Sequence, residues 1–216
     1  DSVVEKINLP LLSLPEQNRI VSILDTFTSS IDNLKQQIAQ RRKQYEYYRD
    51  QLLDLEGKEG IEMNTLGDSC YIKTGSKPLE IKDMGSYKYI NAGTTESGYI
   101  DEYNCECDVV TTPSRGQGGI GFVGYQSSAF WLGPLCYQIR PYKEANLKSK
   151  FLYYYLSSHK KEILKYKSEG GTPAINAADL KIILIPITSL QEQQSIVSIL
   201  DTFEASIQNL EAQLSQ

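Results

Sequence analysis

IVSILDTF occupies residues 20–27 and returns unchanged at residues 196–203. The likeness extends to either side. Residues 9–38 (LPLLSLPEQNRIVSILDTFTSSIDNLKQQI) align without a gap on residues 185–214 (IPITSLQEQQSIVSILDTFEASIQNLEAQL), with 18 of 30 positions identical. Agreement at this level marks an internal duplication. The two copies are not in tandem. They bracket a middle segment of different character, near residues 61–184. A repeat that brackets a domain is suited to holding that domain from both sides.

Each copy opens on the same helix-start signal. Ser13 is followed by Glu16, and Ser189 by Glu192, the S-x-x-E capping box. Pro15 sits in the first turn, where its missing N–H costs nothing, and Pro10 and Pro186 stop any preceding strand. Apolar residues then recur in steps of four and three. The first copy has Ile20, Leu24, Phe27, Ile31, Leu34, Ile38, Tyr45, Tyr48, Leu52 and Leu55, broken only at Arg41. The second has Ile196, Leu200, Phe203, Ile207, Leu210 and Leu214. A seam repeating every seven residues predicts two long helices that pair as a coiled coil, the alternative being two amphipathic helices on one core. At 1.5 Å per residue the first would run roughly 60 Å. The middle domain must leave one helix and return to the other, so the predicted pairing is antiparallel.

The chain suits one ordinary domain plus an extended element. No apolar run approaches the roughly 20 residues that span a membrane, and the N-terminus has no signal-peptide layout, so a cytoplasmic, non-membrane protein is expected. Cys70, Cys105, Cys107 and Cys136 show no CxxC pairing. With His159 the only histidine, they read as free buried thiols rather than a metal site. Residues 61–187 hold 14 Lys/Arg against 13 Asp/Glu, and the remainder 8 against 14, so the acidic excess lies on the helices. Seven lysines (143, 148, 150, 160, 161, 165 and 167) nevertheless fall in one stretch, either a nucleic-acid footprint or a solvated face.

The middle segment reads as mixed α+β. Runs at Tyr87–Ile90, Asp108–Thr111, Ile120–Tyr125 and Cys136–Arg140 are rich in β-branched and aromatic residues and are separated by turn signals. SKFLYYYLSSHKKEILKYK at 149–167 has helical spacing and ends at Gly170–Gly171. A final apolar run, Ile182–Ile185, leads into the second long helix.

A DNA reader needs cations for phosphates, amide or guanidinium groups for base edges, and loops that approach closely. SRGQGG at 114–119 supplies all three, with Arg115 and Gln117 as candidate base readers. Lys73, Thr74, Gly75, Ser76 and Lys77 form a second small, basic loop. Thr172 and Asn176 follow the Gly-Gly turn in a third, and Lys167 lies just ahead of it. Lys73, Lys77 and Lys167 are assigned to phosphates. The competing reading of SRGQGG is a flexible hairpin turn.

Enzymatic readings have little to stand on. There is no Asn-Pro-Pro-Tyr-type methyltransfer motif, no dinucleotide fingerprint and no G-x-x-x-x-G-K-[ST] loop. A nucleophilic site would have to use His159, beside Lys160 and Lys161, which reads as exposed helix surface. Asp101, Glu102, Glu106 and Asp108 cluster near a turn and read as an acidic loop.

Four segments together resemble the specificity (S) subunit of type I restriction–modification systems. LPLLSLPEQNRIVSILDTF and IPITSLQEQQSIVSILDTF are similar to that family's helix entry. LGDSCYIKTGSKP at 66–78 is similar to the opening of a target recognition domain, and GGTPAINAADLKIILIP at 170–186 to its close. SRGQGGIGFVGY at 114–125, followed by Phe130–Trp131, resembles its central strand region. The resemblance implies an α+β fold, a mixed target recognition domain with two long antiparallel coiled-coil helices. It divides the chain into the end of a preceding unit (1–14), a first helix (15–57), a recognition domain (61–187) and a short second helix (188–216). Members carry two recognition domains and this chain one, so it is similar to a half-subunit.

The implied function is non-catalytic recognition of double-stranded DNA. It would direct methyltransferase (M) subunits and, through them, an endonuclease/translocase (R) subunit, with a homodimer as a possible assembly. No cofactor is expected here; S-adenosylmethionine and ATP belong to those partners. The alternative is a coiled-coil scaffold whose middle domain binds another protein.

Overall fold

The computed structural model describes residues 11–116, 118–168 and 171–215. The expectations for Gln117, Gly170 and residues 1–10, including Pro10, lie outside the described residues. The chain divides into two compact units, Asp1–Tyr45 with Phe203–Gln216, and Glu46–Thr202.

The long helix predicted from the first copy is α1 (Leu14–Leu53). Its interior threonines and serines return their hydroxyls to carbonyls one turn back, as Thr26 does to Ser22 O at 2.8 Å and Thr28 to Leu24 O at 2.9 Å. The middle segment follows as β1 (Glu62–Thr65), α2 (Leu66–Ser69), β2 (Cys70–Thr74), β3 (Tyr87–Ile90), β4 (Tyr99–Ile100) and β5 (Val109–Pro113). Next come β6 (Gly124–Gln126), β7 (Trp131–Leu132), β8 (Cys136–Pro141), α3 (Ser149–Ser158), α4 (Lys160–Leu164), α5 (Ala177–Lys181) and β9 (Leu184–Ile187). The second copy forms α6 (Leu190–Leu214), and Ser189 Oγ accepts the Glu192 N–H at 3.1 Å, one half of the expected capping box.

In the first unit the two helices meet antiparallel. Arg42 pairs with Glu211, and three residues further along α1 the Tyr45 hydroxyl donates to Glu204 Oε1 at 3.2 Å, seven residues back along α6. Tyr45 and Phe203 lie with ring centroids 6.4 Å apart. Arg41, the break in the apolar series, is used rather than wasted: its guanidinium sits 5.9 Å over the Phe203 ring. Ile38 is buried, and Leu34, Ile207 and Leu210 are half-buried.

The second unit is built on a four-stranded antiparallel sheet, ordered β2-β8-β5-β6. β5 (VVTTP) is buried at all five positions, so it is covered on both faces. On one side Val109 and Cys136 join Ile90, Cys105, Phe130 and Leu132 in an apolar cluster with the three-stranded sheet β4-β3-β7. On the other, α3 packs on β5 and β6, with the Tyr153 ring 5.8 Å from that of Tyr125, and it buries Phe151, Leu152, Tyr154 and Leu156. Burial pushes the Cys70 and Cys136 thiols up to about 12. Cys70, Cys105 and Cys136 are free and buried as expected, whereas Cys107 is exposed.

Three local expectations change. The Ile120–Tyr125 run is strand only from Gly124, because Gly119 and Gly121 turn the chain ahead of it, with Phe122 N bonded to Gly119 O at 3.0 Å. The 149–167 helix is broken at His159 (φ −100, ψ 27) into α3 and α4. His159 is accordingly not exposed helix surface: its ring stacks on Tyr155 at 4.2 Å and its Nδ1 lies 2.8 Å from Ser158 Oγ. The last apolar run is displaced by two residues and pairs as β9 with β1, Glu62 opposite Ile187 and Thr65 opposite Leu184. That two-stranded sheet brings the start and the end of the middle segment side by side.

Candidate nucleic-acid interface

Strand direction decides which loops can act together. In the four-stranded sheet Thr74 lies opposite Tyr137, and Cys136 opposite Pro113. The end of β2, the start of β8, the end of β5 and the start of β6 therefore share one edge. The loops after Thr74 and after Pro113 both leave from it, as the sequence reading requires.

The 114–116 backbone is fixed. Ser114 N donates to Leu135 O at 2.9 Å, Ile175 N to Ser114 O at 2.9 Å, and Gly116 N to Pro173 O at 3.0 Å, with Arg115 bridged to Ala174. These bonds join the SRGQGG loop to the Thr172–Asn176 loop. Arg115 is thus an exposed guanidinium on a pinned backbone. Gly119 is a forced choice, since a Cβ there would lie 2.1 Å from Ala92 O. The loop is the connection of the antiparallel β5–β6 pair, as the hairpin reading has it, and Thr112 Oγ1 donates across it to Phe122 O at 2.8 Å, but its 114–116 backbone is tied to the distant 173–175 segment as well.

The other predicted residues group around that contact. Ser168 N donates to Ala174 O at 2.9 Å and Ala174 N to Ser168 Oγ at 3.1 Å, which anchors exposed Lys167 beside the third loop. Thr172 is exposed, and Asn176 precedes α5 in extended conformation with no capping bond from its amide. The Tyr137 hydroxyl reaches Ile175 O at 3.3 Å, linking the Thr74 end of the sheet to the same loop. Lys77 is exposed on a stretch held by Gly75 N to Gly133 O and Ser76 N to Leu132 O, both 3.0 Å, and by Trp131 Nε1 to Ser76 O at 2.9 Å.

Lys73 stands apart. It lies within β2, its ammonium 5.4 Å from the Tyr71 ring, and the Tyr71 hydroxyl raises its pKa. Sequence reasoning also missed Asn91 and Asn104, which brace the loops from beneath. Asn91 Oδ1 accepts Leu135 N at 2.9 Å, and Asn104 bonds Leu132 O at 3.1 Å and Ser76 Oγ at 3.2 Å. Isolated asparagines in turn-rich sequence carry no signal that separates such braces from ordinary turns. Two of the four acidic residues near the 101–108 turn are engaged locally: Asp101 pairs with Lys82, which holds its carboxyl below the usual range, and Asp108 accepts from the Tyr125 hydroxyl at 2.8 Å. No metal-binding group occurs among the described residues.

The helix repeat has two different environments. In the second unit Gln193 is buried, accepting from Lys148 N and donating to Asn146 O and Thr188 O, each at 2.8 Å. Asp201 accepts from the Tyr154 hydroxyl and from Lys150 Nζ at 2.9 Å. Ile196, Val197 and Leu200 are 1, 5 and 0% exposed. Their counterparts Ile20, Val21 and Leu24 are 38, 54 and 58% exposed, and Phe27 and Ile31 are exposed as well. Gln17 keeps only the local bond, to Leu12 O at 2.7 Å. Of the residues expected to pair the helices, those before Leu34 in α1 have no such cover. No helix among the described residues is long and apolar enough to cross a membrane.

Comparison with known proteins places this architecture. The family model of the type I restriction modification DNA specificity domain matches residues 58–216. The EcoR124I/EcoR124II specificity subunit of Escherichia coli is 32% identical over 90% of this chain and 53% of its own length. A putative type I specificity subunit of Mycoplasma pneumoniae is 28% identical over 94% of this chain and 83% of its own. Among solved structures, the S subunit of a type I system from M. genitalium superposes with a TM-score of 0.76 at 23% identity, covering 94% of this chain and 57% of that one. The HsdS subunit of Thermoanaerobacter tengcongensis gives 0.61 at 21%, covering 96% and 55%. The chain thus spans about half the length of several of these relatives. A matched family domain over most of its residues, on a fold of the same kind, makes this chain a member of the type I restriction–modification DNA specificity family.

Proposed function

We propose that the chain is a non-catalytic, sequence-reading DNA subunit that directs M subunits, and through them an R subunit, to its target. The observation that carries the reading is that two polar, cation-bearing loops leave one sheet edge and the second is hydrogen-bonded to the Thr172–Asn176 loop, with Arg115 exposed on a backbone fixed by those bonds. A rigid backbone with a free guanidinium suits bidentate recognition of guanine in the major groove, whereas exposed Lys77 and Lys167 suit phosphates. Membership of the specificity family supports the same reading. Transfer of methyl groups to adenine and ATP-dependent cleavage would be the work of the partners, in the cytoplasm. The recognition domain corresponds to residues 61–187 and the helical elements to 15–57 and 188–216.

The bare apolar face of α1 between Ile20 and Ile31 supports assembly with a second chain, a two-fold dimer reading two half-sites. Light scattering at micromolar concentration tests this, and a mass of one chain, alone and with M subunit, counts against it. DNA reading is tested by duplex affinity against salt. Two phosphate contacts, Lys77 and Lys167, predict a log–log slope of about −1.8, from about −0.9 per contact. A chain that binds no duplex at low salt, with or without M subunit, contradicts the proposal.

A further inference from the structure

Both loops that leave the shared sheet edge hang on one short turn, residues 132–135, between β7 and β8. Gly75 N donates to Gly133 O and Ser76 N to Leu132 O, both at 3.0 Å, while Ser114 N donates to Leu135 O at 2.9 Å. The turn is itself held at the end of β3, where Gly133 N donates to Ile90 O at 2.8 Å and Asn91 Oδ1 accepts Leu135 N at 2.9 Å. Asn104 holds its other end. A carboxamide carries donors and an acceptor, so it can bond both main-chain groups of one residue. Asn104 Oδ1 accepts Leu132 N at 2.6 Å, and Nδ2 donates to Leu132 O at 3.1 Å and to Ser76 Oγ at 3.2 Å. Asn91 is half-buried and Asn104 exposed, so neither fills the core.

The two asparagines lead to different loops. From Asn91 the bonds run through Leu135 to Ser114, the residue before Arg115. From Asn104 they run to Leu132 and to Ser76, the residue before Lys77. The two cations differ in what they ask of their support. A guanidinium fork reads a base edge only when both donors are aimed, whereas an ammonium on a flexible stem follows a phosphate through small displacements. A contact of the first kind depends on placement to within about 0.5 Å. The 173–175 segment fixes the Arg115 backbone from one side, and Leu135 fixes it from the other. We propose that Asn91 is a positioning residue for sequence reading: by holding Leu135 it sets the height and tilt of Arg115 at the base edge. Asn104 braces the same turn without that consequence. The proposal rests on the DNA-reading function and deepens it, assigning specificity to a residue that touches no DNA.

The test enriches a random-sequence DNA duplex pool on the full chain, sequences the bound fraction, and records a thermal melt of each variant. The parent should select one motif. Asn91→Ala should lose about tenfold in preference at the base that Arg115→Ala relaxes, within the range of a bidentate contact, and keep its preferences elsewhere. Combining the two substitutions should relax that base no further than Arg115→Ala alone, because both act on one contact. Asn91→Asp keeps the accepting oxygen and should keep the parent motif. Asn104→Ala removes the bonds to Leu132 and Ser76 and should lower the melting temperature at least as much as Asn91→Ala, yet leave the motif intact. Degeneracy that follows lost melting temperature across the variants would overturn the assignment and make Asn91 an ordinary brace. An intact motif in Asn91→Ala beside a relaxed one in Arg115→Ala would overturn it too, while DNA reading stands. Should Asn91→Ala fail to fold, Gly133→Ala tests the same bond, since its Cβ would lie 2.5 Å from Asn91 Oδ1 and displace it. That variant should relax the same base, and an unchanged motif contradicts the assignment. A parent chain that enriches no sequence removes both proposals together.

Discussion

Arg115 carries the most specific claim at the level of single residues. Its main chain is bridged to Ala174 and its neighbours Ser114 and Gly116 are bonded to 135, 175 and 173, so truncating its side chain disturbs no core contact. Arg115→Ala should therefore melt as the parent does. It should relax one position of the target by about 1–3 kcal/mol of discrimination, read as degeneracy at a single base in the methylated motif. An unchanged motif would remove the loop from the interface. The SRGQGG composition made this loop legible in sequence, but its anchoring to 173–175 was not, because that contact joins segments nearly sixty residues apart. Lys73 shows the reverse: a lysine in a basic, polar string belongs to a strand face over Tyr71 rather than to the loop, a difference that one residue of strand register decides.

Helices α1 and α6 contain the same octapeptide in opposite surroundings. Leu200→Ala empties a fully buried site and should cost about 2–5 kcal/mol. Leu24→Ala at the matching position removes a side chain that is 58% exposed and should change stability by less than about 0.5 kcal/mol. Denaturant melts of the two variants make the comparison, and equal losses would mean that α1 is covered in solution along its first turns. Both helices, their starts and their antiparallel pairing follow from the repeat and its seven-residue seam. What the seam left open is how far pairing extends along α1, because periodicity marks an apolar face without saying which neighbour covers it. The broken 149–167 helix eluded the sequence for a related reason: no proline or glycine signals the break at His159, where the backbone leaves helical angles at φ −100, ψ 27.

Across the whole molecule, the core of the second unit carries a pH signature. Burial raises Cys70 and Cys136 from 9.0 to about 12, so the folded state holds protons that the unfolded state releases first. Their contribution is intact below pH 9 and is lost as pH rises from 9 toward 12. Melting temperature should fall across that interval, and Cys136→Ala, whatever its cost at neutral pH, should shallow the fall. The alternation of strand-rich runs and turns made the α+β class readable. The sheet order β2-β8-β5-β6, which brings the loops after Thr74 and Pro113 to one edge, depends on long-range pairing that local pattern does not encode.

The central claim is that the middle segment chooses the DNA bases. It is tested most directly by producing the chain with its M subunit in a methylation-free host and mapping methylated adenines across the genome. The parent chain should give one defined motif. Exchanging residues 61–187 for the corresponding segment of another family member should replace the bases this domain reads with those of the donor. A motif that survives the exchange unaltered would contradict the account.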